Sequence, residues 1–208
     1  MDAKSSIVID PHVAASHDFA AALDAFLDAL TITRDAKSRG SCACMRLARE
    51  HHFAIIKLVE VFAYASALAL LRVQYEAFVR GTWIRDCATE AEVLKFQRGT
   101  CKDLGDMVTE VKRKTGAWAD ELEVLHKKSV GGLSDYVHSG SRAASKQISF
   151  DSFEPTYCSN EIYEVLRFAD VVGFHAALGI VQLSEATDLE PELVQKAACY
   201  FKIPIPNA

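Results

Sequence analysis

LLRVQYEAFVRGTWIRD, residues 70–86, decides the fold class. Nothing in it alternates with a period of two. Its apolar residues, with Leu68 just upstream, surround a helix almost completely: Leu70, Leu71, Val73, Tyr75, Ala77, Phe78 and Ile84. A helix apolar nearly all round sits at the centre of its domain. Across this one run Arg72, Glu76 and Arg80, four apart, within about 80° of arc at roughly 100° per residue, and Trp83 falls among them. Glu76 is spaced to bridge either arginine. Two guanidinium groups against one carboxylate leave a surplus positive charge that a carboxylate or phosphate ligand could neutralise. The competing readings are a solvated stripe of ion pairs, or a ligand-free network that fixes helix register.

Working upstream, helical periodicity runs back from this stretch to about Cys42, too long for one ordinary helix. A turn is expected at FAYAS, residues 62–66, with Ser66 capping the central helix. TITRDAKSRGS, residues 31–41, reads as a polar linker. Before it, Asp10 as N-cap and Pro11 at the first helical position open a helix whose Phe19, Leu23, Phe26, Leu27 and Leu30 share one face.

Downstream, Thr89 caps a short helix and Gly99 interrupts. A second helix ends at Gly116, and a third, WADELEVLHKK, stops before Gly131-Gly132. Residues 134–157 are rich in serine and read as a surface loop. A long apolar helix follows over about 160–186, with Phe168, Val171, Val172, His175, Leu178 and Leu183 along it. Pro191 begins a last helix that Pro204 and Pro206 end. No hairpin turn and no repeat is present, so the expectation is all-α, one helical-bundle domain over residues 1–208 with its core at about 42–188 and eight or nine helices.

Composition is that of a globular chain: 208 residues, 50% hydrophobic and 25% charged, enough to bury a core without disulfide or metal. The net charge of -5 gives no global field for nucleic acid or anionic lipid. It is unevenly spread: the middle of the chain is basic and both ends acidic, which leaves room for a local anion-binding face. The sequence shows no export signal and no apolar run of membrane-spanning length, so a cytoplasmic protein with reduced thiols is expected, with no membrane partner. Cys42 and Cys44, with His51 and His52 nearby, raise zinc. Structural zinc sites space their cysteines more widely and in two pairs, so the expectation is no metal and no cofactor. P-loop, dinucleotide, zincin and EF-hand signatures are absent from the sequence.

A second group with chemistry is DYVHSGSR, residues 135–142. His138 suits acid–base work near neutral pH. Folded onto the central helix it would meet Glu76, which would orient the ring while Arg72 and Arg80 hold an anion, and Ser139 would lie alongside. Alternatively, His138 merely ends the preceding helix in a surface loop.

Arg72, Glu76, Arg80, Gly81 and Trp83, followed by Tyr136, Val137 and His138, resemble the pattern of an uncharacterised family of bacterial all-helical proteins. That resemblance implies a helical bundle and assigns no reaction. More distantly, RLAREHH resembles the signature of the HEPN superfamily, helical metal-independent ribonucleases of toxin and anti-phage systems: an arginine, four to six residues, then a histidine. It would cast Arg46 as the phosphate holder and His51 or His52 as the proton carrier, brought together with a second set across a homodimer. Three readings follow: a module binding a small anion or a partner protein through Arg72, Glu76, Arg80, Trp83, His138 and Ser139; the ribonuclease, with RNA as its partner; and a purely structural bundle.

Overall fold

The structure, a computed structural model, describes residues 10–28, 30–33, 35–116, 119–148 and 155–203; the side chains of 119–122 and 128–132 are not described. Nine α-helices are present among the described residues: α1 (Pro11–Leu27), α2 (Ala36–Glu60), α3 (Tyr64–Asp86), α4 (Glu90–Gln97), α5 (Leu104–Thr115), α6 (Ala119–Val137), α7 (Ser141–Ser145), α8 (Ser159–Leu183) and α9 (Glu190–Phe201). A 3-10 turn at Thr187–Leu189 leads into α9, and the one β-type pairing among the described residues is an isolated bridge between Ile32 and Ser184. The chain is a single all-α helical bundle, as its periodicity implies.

Local chemistry explains most helix ends. The Asp10 carboxylate accepts from the His12 N–H at 2.7 Å and Pro11 opens α1. Thr89 and Glu92 form a reciprocal capping box at α4. Gly99 and Gly116 take positive φ, 83° and 61°, where chains leave α4 and α5.

Three expected boundaries differ, and a fourth lies outside the described residues. Asp35, whose carboxylate accepts from the Ser38 N–H at 2.9 Å, starts α2 at Ala36, so much of the polar linker is helical. The turn before α3 does fall near residue 62, but Ser66 lies inside α3, whose cap position is Ala63 with no side-chain bond. There the last carbonyls of α2 are closed by Phe62 N–H to Val59 and Ala63 N–H to Leu58, with Phe62 at φ 63°. α6 continues through Gly131-Gly132 to Val137, because helix contacts outweigh the roughly 1 kcal/mol that each glycine costs. α9 ends at Phe201, with Lys202 left-handed; Pro204 and Pro206 lie outside the described residues.

α3 is central as expected. It packs along α2, joined by the three-residue turn, and also meets α5, α6 and α8. Met45 of α2 seats where α3 and α8 both carry glycine: a Cβ on Gly81 would lie 3.0 Å from its Sδ, and one on Gly179 3.0 Å from its Cε. Side chains from α2, α3, α5, α6 and α8 fill the main core. A second, smaller core joins α1, α8 and α9 through Phe19, Leu23, Val181, Leu193 and Phe201. Phe19 stacks on Tyr200 with ring centroids 4.0 Å apart. One buried polar cluster, from α1, α2 and α8, lies where these two cores meet.

Candidate functional site

Two polar clusters flank the central helix pair. The first is the row on α3. Glu76 bonds both arginines, one through each carboxylate oxygen: Arg72 Nε donates to Oε1 at 3.0 Å and Arg80 Nη2 to Oε2 at 3.1 Å. The side chains are 21%, 22% and 33% exposed respectively for Arg72, Glu76 and Arg80, so the row is part-buried rather than a solvated stripe. Pairs of this kind contribute about 0.3–0.5 kcal/mol each, too little to account for the row as a source of stability.

Trp83 is buried. Its indole N–H donates to Glu110 at 2.6 Å, and the Lys102 ammonium lies 5.0 Å from the ring centroid while pairing with Glu92 and Glu110. Its one polar atom is therefore committed. His138 and Ser139 are exposed where α6 ends, Ser139 at φ 53°, and no hydrogen bond or ion pair joins either to the row among the described residues. The imidazole that neighbours the row belongs to His126 of α6, on whose titration the Arg72 charge acts. Its ring centroid lies 6.0 Å from that of Tyr75. Burial pushes the His126 pKa down, with Arg72 and Lys112 acting in the same direction against Asp103 and Glu123. Tyr75 is wholly buried and its phenol pKa is raised by burial. Among the described residues, Tyr75 Oη and His126 Nδ1 are both buried without a hydrogen-bond partner.

The second cluster lies between the two cores. Arg49, His52, Asp170 and Ser16 are all buried, from three helices. His52 Nδ1 meets Arg49 Nη1, and since arginine only donates, that nitrogen carries the lone pair. The ring proton is therefore on Nε2, which donates to Asp170 Oδ1 at 2.7 Å. Asp170 Oδ2 accepts from Ser16 at 2.8 Å and from Tyr200 of α9 at 2.6 Å. Arg49 Nη2 donates to the Ala20 carbonyl at 2.9 Å and to Asp24 at 2.6 Å, so the chain of bonds ends on a half-exposed carboxylate. Burial lowers the His52 pKa, with the Arg49 charge adding to this and Asp170 opposing it; the neutral ring suits its role as acceptor from arginine. Gly173 makes room for this ring: a Cβ there would lie 2.3 Å from His52 Nδ1. Breaking a buried set of this kind by removing one partner costs about 3–5 kcal/mol.

Of the second cluster, only His52 stands out from the sequence, as one of two candidate proton carriers beside His51. The fold instead encloses it and uses both ring nitrogens. Arg46 is exposed and lines an open cleft of about 830 Å³ with Asp24, Arg49, Glu50 and Phe53, whereas His51 is part-buried with its pKa lowered by burial. No hydrogen bond joins Arg46 to either histidine among the described residues. Cys42 and Cys44 are buried thiols, the latter pushed up to about 11 by burial, and no group of three potential metal ligands gathers among the described residues. Nor is any helix there long and apolar enough to cross a membrane.

No curated protein and no solved structure matches the chain. A family described as a family of unknown function (DUF6988) matches residues 45–205, from the middle of α2 to beyond α9, and the chain belongs to that family.

Proposed function

We propose that the protein is a helical binding module that takes a small oxyanion where α3 meets α6, with Arg72 as countercharge. The observation that carries this reading is a pair of buried groups without a partner among the described residues, Tyr75 Oη and His126 Nδ1, on rings 6.0 Å apart, with the Arg72 charge acting on His126. Each such group costs about 1–3 kcal/mol if left unmet, so a fold retains a pair of them for an occupant. Tyr75 keeps its proton because burial raises its pKa, and a neutral His126 donates from Nδ1 in one of its tautomers. Arg72 spends Nε on Glu76, which leaves its two terminal nitrogens. Unmet donors beside a surplus cation call for a carboxylate, phosphate or sulfate oxygen. Glu76 holds the two guanidinium groups in place, and Arg80 supplies the second cation of the row. A small ligand is favoured over a partner protein because the unmet atoms lie below the surface. His138 and Ser139, at the exposed end of α6, would serve only a ligand extending well beyond this point.

Calorimetry and thermal unfolding with phosphate, sulfate, oxalate and acetate test the proposal. At least one should bind saturably to the wild type and about tenfold more weakly to Arg72→Gln, a loss of ~1.4 kcal/mol. Absence of binding at about 10 mM for all four, together with a more stable Tyr75→Phe protein, would contradict it.

A further inference from the structure

A cavity of about 180 Å³ opens between α1, α8 and the end of α9, directly above the second polar cluster. Its lining includes Ser16, Asp170 and Tyr200 as a floor, and His12, Arg167 and Lys202 nearer solvent. Proton accounting fixes what each part offers. The Ser16 and Tyr200 hydroxyl hydrogens are both spent on Asp170 Oδ2, and their oxygens stand 3.2 Å apart. The floor therefore presents oxygen lone pairs over a buried carboxylate, and so it attracts a donor or a cation. The outer wall is opposite in kind. Arg167 lies with its guanidinium carbon 4.9 Å from the Phe201 ring centroid, and neither it nor Lys202 forms an ion pair among the described residues. Helical spacing supports the arrangement: Arg167 and Asp170 share one face of α8, as His12 and Ser16 share one face of α1. A plain anion would meet the acceptor floor unfavourably, and a plain amine would meet two unpaired cations.

We propose that this cavity binds a small zwitterion of the free α-amino acid kind. Its ammonium lies against the Ser16 and Tyr200 oxygens in the field of Asp170, and its carboxylate lies on Arg167 and Lys202. The volume, well below the roughly 300–1,000 Å³ of pockets for drug-sized ligands, restricts the occupant to a few heavy atoms. The site is independent of the oxyanion site at Arg72.

The test is calorimetric titration of the full chain with each standard amino acid singly, and with propionate, propylamine and inorganic phosphate. One or more amino acids should bind at one site per chain. Propionate, propylamine and phosphate should bind there at least about tenfold more weakly. Arg167→Gln and Lys202→Gln, both at part-exposed or exposed positions, should each weaken amino-acid binding severalfold; Lys202→Gln should leave the urea midpoint unchanged, and Arg167→Gln should lower it only by the loss of its contact with Phe201. Arg72→Gln should leave it unaltered, so failure of one site is distinguishable from failure of the other. Absence of heat with every amino acid at about 10 mM would overturn the proposal. So would propionate or phosphate binding as tightly as the amino acid in the Arg72→Gln protein, where the oxyanion site is disabled, or unchanged amino-acid affinity in both variants.

Discussion

Replacing Gly173 with alanine should destabilise the protein, and the same replacement should turn favourable once His52 is removed. In an ordinary helix interior glycine to alanine gains about 1 kcal/mol. Here the new methyl would stand 2.3, 2.7 and 2.8 Å from His52 Nδ1, Cγ and Cε1. The ring has no easy retreat, because Arg49 holds one nitrogen and Asp170 the other. Overpacking of a rigid interior costs about 1–3 kcal/mol and occasionally more. With the clash at the upper end of that range, Gly173→Ala should lose about 1–2 kcal/mol net, some 2–8 °C in melting temperature for a domain of this size. In a His52→Ala background the ring is gone, the clash vanishes and the helix gain of up to about 1 kcal/mol remains. The coupling between the two positions should therefore be about 2–3 kcal/mol, measured as a double-mutant cycle from urea unfolding. A coupling within about 0.5 kcal/mol of zero would refute the placement of His52 against α8.

Stability should fall as the solution is acidified from neutrality, before carboxylates protonate. Burial holds His51, His52 and His126 below the ordinary histidine value and pushes His175 to about 4. Below about pH 6.5 the unfolded chain takes up protons that the folded one refuses, so the loss begins there and continues to about pH 4, at up to ~1.4 kcal/mol per pH unit for each histidine. An unchanged urea midpoint between about pH 7.5 and 5 would contradict this. Phe62→Gly should stabilise the protein by about 0.5–1 kcal/mol, since Phe62 is 68% exposed and held at φ 63°; a lower melting temperature would show that its ring contributes more than its backbone costs. Expression of the wild type, Arg46→Ala and His51→Ala should leave cellular RNA equally intact, because His52 is enclosed and no hydrogen bond joins Arg46 to either histidine among the described residues. RNA degradation by the wild type that is lost in both variants would instead establish the ribonuclease reading.

What could be read beforehand was whatever spacing within one helix encodes. The Arg72, Glu76 and Arg80 bonds are separations of four residues, and the Asp10 and Thr89 caps are separations of two and three, so each is written locally. The α2–α3 turn lacked its usual glycine: Phe62 takes the left-handed position, and the cap was consequently misplaced at Ser66. The second cluster depends on pairings of 118 and 154 residues, His52 with Asp170 and Ser16 with Asp170, which no spacing rule reaches. One signal was available: Asp170 is the lone charge in the apolar run FADVVGFHAALGI, residues 168–180 of α8, and a charge there requires a buried partner. His126 sat in a segment read only as a short charged helix, and its approach to Tyr75 comes from the packing of α6 on α3.

The proposed oxyanion site requires that an anion held by Arg72 also reach the His126 ring. Nitrogen NMR of ¹⁵N-histidine-labelled protein during titration with phosphate, sulfate, oxalate and acetate reads this directly. The account predicts that the His126 ring resonances shift saturably with at least one of them, and that Arg72→Gln abolishes the shift. His126 resonances unmoved by all four, or moved equally in Arg72→Gln, would contradict it.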